Sequence, residues 1–249
     1  MSTPWVGFLK TALKKNTAPP SRFCQLATVG ADGGPRVRTV VFRGLRDEMQ
    51  AHAASTRSPT FPATPSTTHD HASPQQAQQQ QRVPPDLLFV SNTHAHKVGE
   101  ILADARGEVA WYFGHTREQF RLRGKLRVVT EPEEAKEEQP RDDSARALQA
   151  LRQTVWRSLS DQTRRQMFWP QPGEPRNPDT PASHWTEGVP SMHVDVSSDS
   201  APPRTFALVL LHVEHVDHLC LRSNRRTAFA RGTATDGDTV AWTTTDVNP

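Results

Sequence analysis

Much that would announce a chemistry is missing from these 249 residues. There are two cysteines, Cys24 and Cys220, in stretches that read as strands and at no spacing that suggests a pair. A disulfide framework is therefore excluded, and buried reduced thiols are expected. Eleven histidines occur without a Cys-x-x-Cys or His-Glu-x-x-His motif, which removes the common zinc patterns. His94, His96, His212, His215 and His218 then read as surface or rim groups. Gly-x-Ser-x-Gly, the Walker loop and Gly-x-Gly-x-x-Gly are all absent, so a nucleophile elbow, a P-loop and a Rossmann site are disfavoured. No apolar run reaches the roughly 20 residues a membrane helix needs. The start, Met1-Ser2-Thr3-Pro4-Trp5, lacks a charged region leading into an apolar core, so a cytoplasmic protein is expected. Thirty Lys and Arg stand against 27 Asp and Glu with no block of one sign, which argues against a nucleic-acid partner.

What is present is organised around Arg36–Arg43, a strand of β-branched residues bracketed by arginines and entered from a turn at Asp32-Gly33-Gly34-Pro35. With Phe23–Val29 it forms a predicted hairpin. Before it, residues 4–15 carry Trp5, Phe8, Leu9, Ala12 and Leu13 on one helical face. Residues 47–85, ending in Gln78–Gln81, are too poor in apolar side chains to offset their ordering entropy, and read as a disordered insertion in a hairpin loop. His69 and His71 inside it read as solvated.

Leu87–Val90 reads as a buried strand, followed by a helix capped by Asn92 or Thr93. That helix runs through Ala105, buries Val98, Ile101 and Leu102, and ends at Gly107. Strands are expected at Glu108–Phe113 and Gln119–Val129, the second with Gln119, Arg121, Arg123 and Lys125 on one face and Phe120, Leu122, Gly124 and Leu126 on the other. Helices follow over Ala145–Leu159 and after Ser160, then a proline-rich loop at about 170–203. Strands at Phe206–Val213 and Val216–Leu221 precede a last hairpin, Arg225–Arg231 with Val240–Thr244 across Asp236-Gly237. Short strands at this spacing, without regular strand–helix alternation, predict one mainly β domain over residues 1–249: a β-barrel with peripheral helices.

The chemistry-bearing residues are cations and hydroxyls at strand ends. Arg38 and Arg43 flank Thr39, Val40, Val41 and Phe42, and on a regular strand they point to opposite faces. Ser91, His96 and Lys97 lie where a strand feeds a helix, where free amides and the positive dipole end favour a phosphate. Together these segments suggest an anion site.

The ordered set of motifs resembles the pyridoxamine 5′-phosphate oxidase-like, FMN-binding split-barrel family, over about residues 5–249 without the insertion. Arg38-Thr39-Val40-Val41-Phe42-Arg43 is similar to the family's flavin-binding Arg-x-Val-Leu-Leu-Lys strand. Phe89-Val90-Ser91-Asn92 and His96-Lys97 resemble its phosphate-carrying strand end and helix start. Glu118-Gln119 after Trp111 resembles its Arg-Gln, Arg226 before Phe229 its late arginine, and Trp242 to Pro249 its closing segment. Phe168-Trp169-Pro170-Gln171-Pro172-Gly173 looks like the mark of an uncharacterised branch.

The resemblance implies a split barrel, an FMN cofactor, and a homodimer whose cleft uses both subunits. It implies cofactor-binding roles for Arg38, Thr39, Val40, Val41, Phe42, Arg43, Ser91, His96, Lys97, Gln119 and Arg226. Arg43 and Arg222 would face a small anionic substrate. The substrate half of the family pattern is largely missing. The single tyrosine is Tyr112, on a strand; Gln139 stands where the family has Arg; Arg222-Ser223-Asn224 replaces Arg-x-His; and Leu219 stands where an aromatic covers the flavin. A flavin-dependent oxidoreductase is the expectation, with a non-catalytic FMN carrier or sensor as the alternative.

Overall fold

The computed structural model describes residues 3–55, 85–132, 143–175, 178–179, 196–232 and 241–249. Helix α1 (Pro4–Lys15) begins with proline in its first turn and buries Trp5, Leu9 and Ala12, while Phe8 lies half-exposed against the rings of His218 and Phe229. A 3₁₀ turn at Pro19–Arg22 leads into β1 (Phe23–Val29), and β2 (Pro35–Val41) returns antiparallel to it, Leu26 opposite Arg38. The connecting turn is closed by hydrogen bonds between Gly30 and Gly34, and Gly33 takes a φ of 78° there.

Strand β3 (Gly44–Leu45) runs into α2 (Arg46–Ser55). The predicted disordered insertion from residue 47 therefore begins inside a helix, whose first turn carries Asp47 and Glu48 as its dipole favours. The rest of that stretch, 56–84, with His69 and His71, lies outside the described residues. Strand β4 (Leu87–Asn92) pairs antiparallel with β3, so the insertion does sit between two paired strands.

Helix α3 (His96–Ala103) is shorter than predicted. Asn92 and Thr93 do not cap it: Ala95 holds the cap position without a side-chain hydrogen bond, and Asn92 Oδ1 instead accepts from the His94 amide at 2.9 Å. Only Val98 and Ile101 are buried; Leu102 is 74% exposed, because one buried stripe on eight residues has no room for the next position round. Gly107 does not end the helix but lies inside β5 (Arg106–Phe113).

Strand β6 (Glu118–Val129) alternates as expected, with Phe120, Leu122, Gly124 and Leu126 buried and Arg121, Arg123 and Lys125 exposed. Helix α4 (Asp143–Ser158) buries Leu148, Leu151, Val155 and Trp156, and α5 (Asp161–Gln166) is capped by Ser160, whose hydroxyl accepts from the Thr163 amide. The two strands predicted between 206 and 221 are one, β7 (Phe206–Cys220). A bulge reconciles them. His215 lies opposite Arg123 and Val213 opposite Gly124, leaving Glu214 as the extra residue. Gly124 is required at that point, since a Cβ there would lie 1.9 Å from the His212 carbonyl oxygen. Strands β8 (Arg225–Arg231) and β9 (Trp242–Val247) complete the final hairpin, whose predicted Asp236-Gly237 turn lies outside the described residues.

The sheet order is β2-β1-β5-β6-β7-β4-β3, all antiparallel, with β8 and β9 added beside β7. Strand β7 pairs with β6 from Leu208 to Cys220; on its other side it pairs with β4 before the bulge and with β8 after it. The interior packs Trp5, Phe42, Phe89, Trp111, Phe113, Phe120 and Phe229 with aliphatic neighbours, and Phe42 and Trp111 meet with ring centroids 4.9 Å apart. A second core forms where α4 covers Leu88, Leu208 and Leu210 on the outer side of β4 and β7. The fold is the FMN-binding split barrel, mainly antiparallel β with helices at its periphery.

Cys24 is buried and burial pushes its thiol up to about 12. Cys220 departs from the expected burial: it is half-exposed at the end of β7, and a hydrogen bond from the Ser223 hydroxyl lowers its thiol pKa.

Candidate functional site

Strand β2 ends the sheet, so along its outer edge every second residue has backbone groups without a strand partner. Just past its end the chain meets β4, where the Arg43 amide donates to the Leu88 carbonyl at 2.8 Å. Arg38 of β2 and Ser91 of β4 therefore stand on either side of the place where the barrel splits. Helix α3, following β4, brings its open first turn to the same place, with no side chain capping its amides.

Five side chains are brought together here: Thr28, Arg38, Ser91, Lys97 and Glu100. Lys97 Nζ donates to Ser91 Oγ at 3.2 Å. One turn along α3, the Glu100 carboxylate accepts from Arg38 Nη2 at 2.5 Å and from the Thr28 hydroxyl at 2.5 Å. Arg38 Nη1 also donates to Thr28 Oγ1 and to the carbonyls of Leu26 and Arg36. Burial works against the Glu100 charge, but the hydrogen bonds from Thr28 and Arg38 outweigh it and hold the carboxyl below its ordinary pKa. Lys97 is in the reverse position. Burial, and then the Arg38 charge, push its ammonium down, with Glu100 opposing. Arg38 has its carboxylate; Lys97 has a hydroxyl, and among the described residues it makes no ion pair. A half-buried ammonium beside an open helix start is a place for an anion. His96 opens α3, its ring lying against the backbone of Gly173.

The remaining sequence-predicted residues are placed as follows. Thr39 is exposed, Val41 half-buried, and Val40 and Phe42 point into the core. The half-buried Arg43 lies near Arg22; burial and then the Arg22 charge lower its pKa, and its Nε is buried without a partner among the described residues. Gln119 is on the other side of the sheet. Arg38, Leu26, Val109 and Leu122 form one cross-strand row on the inner face, and Gln119 is three residues from Leu122, an odd number, so it points outward. There it shares a row with Tyr112, Leu219, Arg226 and Val247. Arg226 grips Asp217 with two hydrogen bonds, at 2.8 and 2.6 Å, and its donation holds Asp217 below the usual carboxylate range. Arg222 is exposed and donates to the His115 carbonyl at 2.6 Å. One chain thus gathers Arg38, Ser91 and Lys97 at α3, where His96 begins, and carries Gln119, Arg222 and Arg226 elsewhere.

Sequence reasoning missed Thr28 and Glu100, and it marked Gly173 only as part of a branch motif, without its contact with His96. The spacing of Lys97 and Glu100, one helical turn, was the available signal for a shared face. Among the described residues no group of three or more His, Cys, Asp or Glu is placed to hold a metal ion, and no helix is long and apolar enough to cross a membrane.

The pyridoxamine 5′-phosphate oxidase FMN-binding domain family matches residues 2–130, which hold every member of the anion cluster. The chain belongs to that family. It is 27% identical over 249 residues to the pyridoxine/pyridoxamine 5′-phosphate oxidase 2 of Arabidopsis thaliana, covering 99% of this chain and 97% of that one. A crystal structure of a pyridoxamine 5′-phosphate oxidase-related, FMN-binding protein from Nostoc punctiforme is similar with a TM-score of 0.69 and 29% identity, over 100% of this chain and 98% of the other. The fold is shared with PhzG of Burkholderia lata 383, at a TM-score of 0.57 and 13% identity over 99% and 91% of the two chains. The residues present suit the family's cofactor: a cation lacking a carboxylate, a hydroxyl and an uncapped helix start fit a phosphate, and the free edge of β2 offers hydrogen bonds to a planar ring.

Proposed function

We propose that this chain binds FMN at the split between β2 and β4, and that it is an oxidoreductase acting on a small anionic substrate. The observation that carries the reading is Lys97, an ammonium half-buried among Arg38, Ser91 and the start of α3 that makes no ion pair among the described residues. Lys97 and His96 hold the phosphate, and Arg38, fixed by Glu100, adds its charge. Ser91 orients Lys97. Along the β2 edge Val41 offers its backbone groups to the ring edge, because the Phe42 amide is engaged by the Arg22 carbonyl at 2.9 Å on the β1 side. When bound, FMN supplies hydride-transfer chemistry.

Gln119 faces away from this cluster in its own chain, so the reading includes a homodimer in which Gln119 of a second copy reaches the ring and stabilises negative charge there. The outward row supports this. Tyr112, next to Gln119, and Val247, at the far end of the row, are 51% and 40% exposed and offer apolar surface to a second copy. Arg43, with its unpartnered Nε, meets the anionic substrate.

Purification decides the cofactor. A yellow protein releasing a compound of FMN mass supports it, and a colourless protein that fails to take up added FMN refutes it. Bleaching by a candidate substrate and recovery in air mark an enzyme. The carrier or sensor reading is favoured by one observation: Arg226 and Arg222, two cations expected at the ligand, are engaged by Asp217 and the His115 carbonyl. FMN that binds yet exchanges no electrons with any reductant beyond the free flavin's own rate selects that reading.

A further inference from the structure

The segment after α5 has no part in the function so far. Its start is anchored to the site: the Met167 carbonyl accepts from the Thr205 hydroxyl at 2.6 Å and from Asn92 Nδ2, at the end of β4, at 3.4 Å. From there Phe168-Trp169-Pro170-Gln171-Pro172-Gly173 turns back over the start of α3. Two prolines fix two of its φ angles. The Glu174 amide and carboxylate meet Gln171 at 3.4 and 3.3 Å and close the turn. The Trp169 Nε1 is buried in it without an acceptor among the described residues.

The turn ends on Gly173, whose φ of 92° belongs to a region side-chain-bearing residues rarely adopt. Space requires glycine as well. A Cβ at 173 would lie 2.9 Å from His96 Nε2, with Cδ2 and Cε1 at 3.5 and 3.6 Å. The edge of the imidazole therefore rests on the bare Cα of Gly173. His96 is the first residue of α3, one position before Lys97. An imidazole is shorter than a guanidinium and has two ring nitrogens that are not equivalent, so its rotamer decides which one meets an anion.

We propose that the Phe168–Gly173 turn is a wall of the phosphate site and that Gly173 is a positioning residue for His96. It holds the ring at the open end of α3 beside Lys97. The inference rests on the reading of Arg38, Ser91, His96 and Lys97 as a phosphate site, and it adds a segment distant in sequence to that site.

The test is a double-mutant cycle on FMN binding to the full-length protein, followed by quenching of flavin fluorescence. Gly173→Ala and His96→Ala each raise the FMN Kd roughly five- to tenfold, the size of one lost hydrogen bond. Gly173→Ala in the His96→Ala background adds nothing, because the effect passes through the ring. A Gly173→Ala Kd within twofold of wild type overturns the proposal, as does a double variant whose effects multiply.

A measurement on the unmutated protein stands if Gly173→Ala does not fold. The Gly173 amide and the His96 imidazole resonances should both shift as FMN is added; resonances that stay put overturn the proposal. Wild-type protein with no FMN affinity removes the cofactor reading itself, whereas FMN binding that is indifferent to Gly173 removes only this inference.

Discussion

Replacing Lys97 by methionine separates the demands of the ligand from those of the fold. The substitution keeps the length and most of the volume of the side chain and deletes its charge. In the free protein that charge is a burden. The folded state lowers the Lys97 pKa from 10.5, through burial first and the Arg38 charge second. A group whose ammonium is disfavoured on folding destabilises the protein at pH values below its folded pKa, and the cost fades as pH rises from there toward 10.5. Among the described residues the one hydrogen bond lost is that to Ser91 Oγ, 3.2 Å long, and Ser91 Oγ also approaches the Asn92 carbonyl. Lys97→Met should therefore melt no lower than wild type without ligand at pH 7, and should lose the rise in stability at alkaline pH. With FMN the sign reverses. A charge-assisted hydrogen bond to phosphate is worth about 1.5–3 kcal/mol, so the Kd should rise roughly 10- to 150-fold. The stabilisation by a fixed excess of FMN should shrink accordingly. Thermal melts with and without FMN, alongside a fluorescence titration, give both quantities. A Kd within twofold of wild type, or an apoprotein clearly destabilised, would refute the reasoning.

Three further outcomes are expected. Gly124→Ala places a Cβ 1.9 Å from the His212 carbonyl oxygen, where backbone must yield, and should cost about 1–3 kcal/mol or more in a denaturant melt. His218, packed between Phe8 and Phe120, has its pKa lowered from 6.5 by burial, against the pull of Glu118. Its neutral ring suits the fold, so stability should fall as pH drops below 6.5, and His218→Phe should flatten that slope in melts from pH 7.5 to 5. Tyr112→Glu puts a charge into the exposed row beside Gln119; light scattering should show monomers, and FMN affinity should fall with them.

The local elements were largely legible in the sequence. Helix α1, the β1–β2 hairpin, the alternation of β6, the buried stripe of α4 and its successor's Ser160 cap all rest on periodicity and turn chemistry within a dozen residues. The failures came where distant chain decides. Two strands around Glu214 are one because β6 runs past the bulge without a break. Gly107 looked like a helix stop, yet Asp104 ends α3 and the glycine passes into β5 opposite Gly124. The site divides in the same way. Arg38, Ser91 and Lys97 were marked by their motifs, but Glu100 and Thr28 carry no signal until α3 lies across β1. That Gln119 and Arg38 face opposite sides follows from register through three strand pairs, which no single segment contains.

Strand β7 pairs with β6 on one side and with β4 and then β8 on the other. It also begins only at Phe206, more than four-fifths of the way along the 249-residue chain. During synthesis β4 and β6 therefore emerge long before the neighbour they share, and their free edges and apolar faces must wait for it. Closure of the barrel is a late event, and a polypeptide stalled or cut ahead of Phe206 would be left with sticky, half-built sheet.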